Sequence, residues 1–440
     1  MINKEVGLKY GWIVIYLLSL FCIAYLVRRT DFILLISFGA LGSLSLWMLS
    51  KKIDLNGCLK QVILAAVLLY GALLFFTPQL SDDAYRFIWD GIQTGNGINP
   101  FLQTPAQYAT KHDLSVIQTE LFPLLNSPNY YTVYPPVAHY IYAICGVLNA
   151  QNISINILLI RIIYATFYIG FVIPLYHYAK MKKLDLRYII VLIFNPIVLI
   201  EGFVNLHIEW VMLFFVICSL YFIENKKYLL SSVLLGLAIS TKLHIAIALP
   251  FVALLAKPKN TFTYLTISTA TVCILFSPFI NLTTISNFWQ SFTLFIDTFE
   301  FNASLFYLVK SIGYNLVGYD IIRTAGPILS ISSGLGILVL YIKSYQNKIE
   351  PLRASTYAFT IFYLLASIVH PWYIIVPFFF GLLSNVKYPI IWLLLGWISY
   401  HAYTPSQFNE NYVLVLTEYI LLFGVMIHEF RSRNLRKINL

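Results

Sequence analysis

Long apolar runs follow one another along almost the whole chain, and they constrain its fold more than any other feature. Residues 61–80, for example, form one run that is long enough for a helix to cross a bilayer, which takes ~20 residues. Hydrophobic residues make up 59% of the sequence and charged residues only 11%, and the mean hydropathy is +0.76. The runs predict an all-α polytopic membrane protein with about 12–14 transmembrane helices, because only helices satisfy every backbone group within one lipid-facing segment.

The positions of lysine and arginine predict the orientation of these spans. Most of the 29 basic residues fall in loops on one side of the predicted spans. These include Lys51, Lys52, Lys60, Lys180, Lys182, Lys183, Arg187, Lys226, Lys227, Lys257, Lys259, Lys343, Lys348, Arg353 and Lys387. The positive-inside rule makes this side cytoplasmic, so we expect a multi-pass protein of the inner (plasma) membrane with both termini inside. The formal net charge of +10 then needs no nucleic acid as partner.

The same orientation divides the chain into spans and long outer loops. We expect a single integral membrane domain, 1–440, that begins with an extra helical hairpin, 1–60. A large outer loop, 81–153, carries interfacial helices, and a second outer loop covers 280–323. The apolar stretch 134–148 is predicted to lie in the outer interface, since a crossing there would invert every later loop. Outer loops of this length are uncommon unless they have a function.

The sequence contains few signs of cofactor or metal chemistry. The five cysteines are scattered without a CxxC spacing, and neither a phosphate-binding loop nor a dinucleotide fingerprint is present. His207 and Glu209 lie two positions apart, which is not the i, i+4 spacing of a helical metal site. We therefore expect no cofactor, with a divalent metal as the less favoured alternative.

A pair of adjacent carboxylates directly follows the run 61–80. Asp82 and Asp83 lie where the chain leaves the lipid, and their mutual repulsion and partial burial would raise a carboxyl pKa. One of them could act as a general base. The alternative is that Ser81 and Asp82 cap a helix that ends near residues 95–97.

Other polar residues collect at the predicted outer ends of spans. We expect these to bind substrate: Tyr85, Arg86, Asp90, Tyr134, His207, Glu209, Lys242, His244, Glu300, Asn302 and His370. Each also has a structural interpretation. Lys242 could neutralise a phosphate or simply extend its amine to the interface, and His244 could be a packing residue. Carboxylates at membrane depth are costly and usually functional. The aromatic neighbours of Glu300 suit sugar stacking, but they suit an interfacial aromatic belt equally well.

The ordered set of these motifs resembles bacterial members of the GT-C superfamily, multispanning glycosyltransferases that use polyprenyl-phosphate sugars and are often mannosyltransferases. The matching segments are Asp82-Asp83-x-Tyr85-Arg86-x-x-Trp89-Asp90-Gly91, Asn99-Pro100-Phe101, Tyr134-Pro135-Pro136, Asn195-Pro196 through His207-x-Glu209, Thr241-Lys242, Phe299-Glu300-Phe301-Asn302 and His370-Pro371-Trp372-Tyr373. The two spans that precede residue 61 depart from the usual family pattern.

The resemblance implies a GT-C-like helical bundle and a specific reaction. A hexose, with mannose expected, would move from a lipid-linked donor to a hydroxyl of a glycan, lipid or protein acceptor at the outer face, in one inverting step. Asp82 or Asp83 would be the catalytic base. The alternatives are a transporter or flippase of a polyprenyl-linked or anionic solute, and a lipid-anchored assembly scaffold. Carboxylates concentrated on one face favour the enzyme, since a transport path needs ionisable groups along its whole length.

Overall fold

A computed structural model describes residues 2–51, 55–149, 151–297, 299–404 and 408–438. Helices dominate these ranges, and the β-type pairing within them consists of two isolated bridges. The prediction of an all-α polytopic membrane protein is confirmed.

The helices have the following bounds. In chain order they are α1 (Ile2–Tyr25), α2 (Phe32–Ser50), α3 (Leu55–Ala72), α4 (Asp83–Gly95), α5 (Pro105–Lys111), α6 (Val116–Leu121), α7 (Pro136–Leu148), α8 (Ile153–Met181), α9 (Arg187–Ile193), α10 (Glu209–Glu224), α11 (Tyr228–Ile239), α12 (Leu249–Ala253), α13 (Pro258–Phe276), α14 (Leu282–Asp297), α15 (Leu305–Val317), α16 (Ile322–Tyr345), α17 (Pro351–Leu365), α18 (Ile375–Leu383), α19 (Tyr388–Leu395) and α20 (Tyr412–Ile438). A π-helix covers Val198–Val204, and 3-10 turns cover Phe122–Leu124, Leu243–Ala248 and Gly396–Ala402.

Four helices in the described ranges are long and apolar enough to cross a bilayer: Phe32–Ser50, Ile153–Met181, Ile322–Tyr345 and Tyr412–Arg433. The pair Arg187–Ile193 and Val198–Val204 makes a fifth candidate that is bent by 48°. Most of the other predicted spans are shorter or broken helices, and α13, with 19 residues, is long enough but not apolar enough to join the four. The predicted total of about 12–14 transmembrane helices is reached only if these remaining helices also cross the membrane.

The predicted span 61–80 differs from the structure at its outer end. Helix α3 stops at Ala72, and the chain continues without helix to Asp82. Pro78 offers no backbone N–H and disfavours helix at the residue before it, which is consistent with this extended segment. The two carboxylates therefore follow a non-helical connection rather than the end of a span.

Contacts divide the chain into two compact units. Unit 1 comprises Met1–Lys52 and Phe295–Leu440, and unit 2 comprises Ile53–Leu294. In unit 1, α1 packs on α2, and α16, α17 and α18 pack in series, while the N-terminal hairpin 1–60 stays a prediction. In unit 2, α4 packs on α7, α8 on α10, and α11 on α10 and α13. The predicted single domain and the two outer-loop boundaries stay predictions.

Candidate active site

The two adjacent carboxylates begin α4, but they have different surroundings. Asp82 is the N-cap residue, and its side chain makes no capping hydrogen bond within the described ranges. Asp83 is held from two sides: Asn126 Nδ2 donates to Oδ1 at 2.8 Å, and the Tyr134 hydroxyl donates to Oδ2 at 3.3 Å. The Asp83 side chain keeps 24% exposure. It is thus both oriented by the protein and open to a ligand.

Arg86 places the loop that supplies Asn126. Its Nη1 donates to the carbonyl oxygens of Ser127 and Tyr130, each at 3.0 Å, while Nε donates to Asp90 Oδ1 at 2.8 Å. The Arg86 and Asp90 side chains are only 5% and 3% exposed. Arg86 and Asp90, both predicted to bind substrate, therefore form a buried ion pair with each other in α4. Their neighbour Tyr85 is half-buried.

Close packing of α4 on α7 brings Tyr134 to Asp83. A Cβ at Gly91 would overlap the Tyr142 carbonyl, and a Cβ at Gly146 would come within 3.0 Å of the Gly91 backbone, so both positions need glycine for this approach. The Phe87 ring stacks on Tyr142 at 4.7 Å and meets Tyr134 edge-on at 4.9 Å. The tyrosine is fixed by α4 itself.

One backbone hydrogen bond joins the Tyr134-Pro135-Pro136 segment to the segment that carries Lys242. The Val137 N–H donates to the Ser240 carbonyl at 2.8 Å. Lys242 forms an ion pair with Glu209, the first residue of α10, whose side chain is fully buried, whereas that of Lys242 is 15% exposed. His244 lies in the following 3-10 turn and is partly buried.

His207 stands between two carboxylates. Its Nδ1 is 3.9 Å from Asp83 Oδ2, and its Nε2 is 3.3 Å from Glu201 Oε2. Glu201 lies in the π-helix and is fully buried. Leu206, also fully buried, has φ = 64° in the left-handed region that β-carbon-bearing residues rarely adopt. Strain of this kind and π-helical turns are both frequent at functional sites.

Arg161 of α8 anchors the two irregular segments that carry these groups. It donates to the carbonyls of Leu74 at 2.9 Å and of Phe76, next to the connection that follows α3. It also donates to the Val204 carbonyl at 2.6 Å, where the π-helix ends. Arg161 is not among the site residues predicted from the sequence. A lone charge inside an apolar run was the signal that could have identified it.

The electrostatics of unit 2 set the proton affinity of Asp83. Burial raises the pKa of its carboxyl, and the charge of Asp82 adds to this. The Asn126 hydrogen bond, the charge of Lys242 and the Tyr134 hydrogen bond oppose the rise, in that order, and the net pKa lies above its usual value. A carboxylate with a raised pKa is a stronger base than a solvated one.

The predicted residues Glu300, Asn302 and His370 lie in unit 1. Lys310 Nζ is 2.6 Å from Glu300 Oε1 and 2.9 Å from Asp320 Oδ2. Burial raises the pKa of Glu300, against the effect of its hydrogen bond to Lys310. This group is a partly exposed charged cluster.

Asn302 is surrounded by carboxylates that the sequence did not single out. Its N–H donates to Glu410 Oε1 at 2.5 Å, and its Nδ2 donates to Glu418 Oε1 at 3.3 Å. The Tyr307 hydroxyl also bonds to Glu410. Glu418, a fully buried carboxylate inside α20, had a recognisable signal in its apolar sequence surroundings.

His370 belongs to a group of stacked aromatic rings. It lies parallel to Trp372 with ring centroids 4.2 Å apart, and 4.5 Å from Phe301. Phe299, 6.4 Å away, is 42% exposed. Unit 1 thus carries an aromatic group as well as the acidic one.

No group of three or more His, Cys, Asp or Glu side chains in the described ranges is arranged to hold a metal ion. The expectation that the protein needs no cofactor stays a prediction.

Comparison with protein families decides the class to which this chain belongs. The family model of the MptA_B family, described as alpha-(1->6)-mannopyranosyltransferase, N-terminal domain, matches residues 15–258. The chain belongs to this family. The predicted resemblance to mannosyltransferases is confirmed, and the functional class is that of a glycosyltransferase. Comparisons with curated proteins and with solved structures give no match.

The MptA_B match includes every unit-2 residue that surrounds Asp83. It ends before the acidic and aromatic groups of unit 1. The candidate active site around Asp83 therefore lies inside the matched segment, and the catalytic and substrate-binding roles of all the predicted site residues stay predictions.

Proposed function

We propose that this MptA_B family member transfers mannose from a polyprenyl-phosphate donor to an acceptor hydroxyl, with inversion and with Asp83 as general base. The observation that carries the proposal is the Asp83 carboxylate, which Asn126 and Tyr134 orient while 24% of its side chain stays exposed. Mannose is supported by the family description. That description also supports a 6-hydroxyl of a sugar as the accepting group.

Asp83 is favoured over Asp82 as the base because of its contacts. A catalytic base must be held at a defined position relative to the proton that it removes. Asp83 has two side-chain hydrogen bonds from distant parts of unit 2, whereas Asp82 occupies the N-cap position. In this proposal Asp82 raises the basicity of Asp83 through its negative charge.

The proposed step is a single displacement. The acceptor O–H bond breaks as its proton moves to Asp83, and the acceptor oxygen forms a bond to the anomeric carbon. The bond from that carbon to the phosphate oxygen breaks at the same time, and polyprenyl phosphate leaves with the electron pair. The phosphate needs no proton at neutral pH, so one carboxylate base is sufficient.

Lys242 is proposed to stabilise the departing phosphate. Its amine acts on Asp83 electrostatically, and the Lys242 side chain remains 15% exposed although it pairs with Glu209. A lysine amine is a compact cation that suits a phosphate oxygen. His207, which lies 3.9 Å from Asp83, is proposed to line the same site.

The proposed setting is the outer face of the inner membrane, with both termini cytoplasmic. The distribution of lysine and arginine supports this orientation. The donor would be lipid-linked, since the sequence offers no nucleotide-binding motif. A glycan, a glycolipid or a glycoprotein could present the acceptor hydroxyl, and no cofactor is proposed.

The test is transfer of radiolabelled mannose from polyprenyl-phosphate-mannose by the purified full-length protein in lipid nanodiscs. General-base assistance contributes ~10²–10⁴-fold, so Asp83→Asn should lower the rate by that factor. The matched variant Asp82→Asn should lose far less, and both should elute as folded protein in gel filtration.

Three outcomes would contradict the proposal. Equal rates for wild type and Asp83→Asn would remove Asp83 as the base, and a silent Asp82→Asn beside an active Asp83→Asn would assign that role to its neighbour. Transport of the labelled lipid across a vesicle membrane without transfer would favour the flippase alternative.

A further inference from the structure

A basic turn joins α10 to α11 in unit 2. Helix α10 ends at Glu224 and α11 begins at Tyr228. Lys226 and Lys227 lie between them, and both are exposed. The Lys227 amine lies 5.6 Å above the Phe222 ring. The turn therefore presents two cations beside an aromatic ring.

The end of α8 adds positive charge to this turn. Lys180, Lys182 and Lys183 are exposed there, and Lys182 forms an ion pair with Glu224 at the end of α10. This contact places the two helix ends side by side. Five lysines and one glutamate thus lie at these two helix ends, where the neighbouring Asp185–Arg187 ion pair adds no net charge, so the excess charge is positive.

A shallow groove begins at these lysines and is otherwise apolar. It is lined by Lys226, Lys227, Tyr228, Leu229, Leu230 and Val233. Leu229 is 66% exposed and Leu230 is 43% exposed. In a membrane protein, leucines exposed beneath a row of lysines mark the boundary between head groups and acyl chains.

We propose that this groove binds an anionic phospholipid. The phosphate of the head group would lie against Lys226 and Lys227, and an acyl chain would follow Leu229, Leu230 and Val233. Charge complementarity selects this occupant, because a zwitterionic lipid gains much less from a surface with excess positive charge. The inference does not depend on the catalytic role proposed for Asp83.

The chain contains a matched control for general surface charge. Lys257 and Lys259 are also exposed, at the start of α13, and are predicted to lie on the same side of the membrane. They do not line the groove. Binding in the groove should depend on Lys226 and Lys227 alone, whereas nonspecific attraction to surface charge should depend equally on Lys257 and Lys259.

The experiment is native mass spectrometry of the full-length protein titrated with phosphatidylglycerol or phosphatidylcholine in detergent. Wild type should retain phosphatidylglycerol preferentially. Lys226→Gln with Lys227→Gln should weaken that retention by about tenfold, since each lysine near an anionic head group contributes severalfold. The pair Lys257→Gln and Lys259→Gln should keep it. Leu229→Ser with Val233→Ser should weaken it without changing the charge.

The inference fails if both lysine pairs reduce retention equally, or if the two phospholipids are retained equally by wild type. It also fails if polyprenyl phosphate displaces phosphatidylglycerol at a lower concentration, because the groove would then belong to the donor lipid. Thermal unfolding in phosphatidylcholine should be the same for all variants, and the exchange of both groove lysines for arginine should preserve retention.

Discussion

Asn126 Nδ2 donates a 2.8 Å hydrogen bond to Asp83 Oδ1, although 43 positions separate the two residues along the chain. Arg86 makes this contact possible by holding the carbonyls of Ser127 and Tyr130. The loop that follows α6 and the 3-10 turn Phe122–Leu124 thus lies against the start of α4. The orientation of the candidate base is therefore a property of tertiary structure.

The first prediction concerns the pH dependence of transfer. Asp83 can act as a base only when ionised, so activity should fall as the pH drops through its raised pKa. The hydrogen bond from Asn126 lowers that pKa, against the larger effect of burial. Asn126→Ala removes the lowering contribution, and the acid limb of the pH–rate profile should move to higher pH.

The neighbouring variant Ser127→Ala serves as the control for this shift. The Ser127 backbone carbonyl still binds Arg86, and its side chain makes no contact with Asp83 among the hydrogen bonds of the described ranges. Its pH–rate profile should match wild type. A profile for Asn126→Ala that moves to lower pH, or stays in place, would contradict the assignment of Asp83.

Variants of the Lys242–Glu209 ion pair can distinguish the effect of Lys242 on stability from its effect on the transfer rate. Lys242→Gln leaves a fully buried carboxylate without its cation, which should cost about 3–5 kcal/mol of unfolding free energy. The double variant Lys242→Gln with Glu209→Gln removes both charges and should regain most of that stability. Its rate of mannose transfer should nevertheless stay below that of wild type, because the cation that stabilises the leaving phosphate is absent.

Thermal unfolding and single-turnover transfer, measured on the same samples, check this prediction. If the double variant regains both stability and full activity, Lys242 has a structural role alone.

Arg161→Gln should destabilise unit 2. The Arg161 guanidinium donates hydrogen bonds to the carbonyls of Leu74, Phe76 and Val204. Each buried carbonyl left without a donor should lower the free energy of unfolding by about 1–3 kcal/mol. Arg187, which is exposed and pairs with Asp185, provides a control of the same residue type. Arg187→Gln should leave the unfolding temperature unchanged, and equal losses for the two variants would refute the anchoring role.

Gly91→Ala should destabilise the contact between α4 and α7. The added methyl group would overlap the Tyr142 carbonyl oxygen, and overpacking of this kind typically costs about 1–3 kcal/mol. Gly71 in α3 has open space around its Cβ position, so Gly71→Ala should be neutral or slightly stabilising. Chemical unfolding in mixed micelles would measure both, and a neutral Gly91→Ala would mean that the helices do not cross this closely.

Local patterns in the sequence predicted the elements better than their connections. Helix α2 and helix α8 match their apolar runs closely, because hydropathy directly determines which segments can be buried in lipid. The start of α4 at the carboxylates was also predictable from Ser81 and Asp82. The end of α3 was not, since an apolar run gives no indication that the helix stops before its end.

The partners in the candidate site were partly predictable. Asp83, His207 and Lys242 stood out because ionisable side chains next to or within apolar runs are few in this sequence, and Tyr134 because it opens the Tyr134-Pro135-Pro136 motif. Asn126 belongs to no motif. It reaches Asp83 only in the folded protein, where Arg86 holds the loop by the carbonyls of Ser127 and Tyr130. The prediction that Arg86 binds substrate could not be distinguished from a buried pairing with Asp90 without coordinates.

The contacts of Arg161 also impose an order on biogenesis. The carbonyls of Leu74 and Phe76 leave the ribosome 87 and 85 residues ahead of the guanidinium that satisfies them, and the carbonyl of Val204 follows it by 43. While the chain is being made, the connection after α3 must rely on water or on the insertion machinery for its hydrogen bonds. The connection after α3 can therefore complete these contacts only after Arg161 has been made, and Arg161 completes its own set only after the nascent chain has passed residue 204.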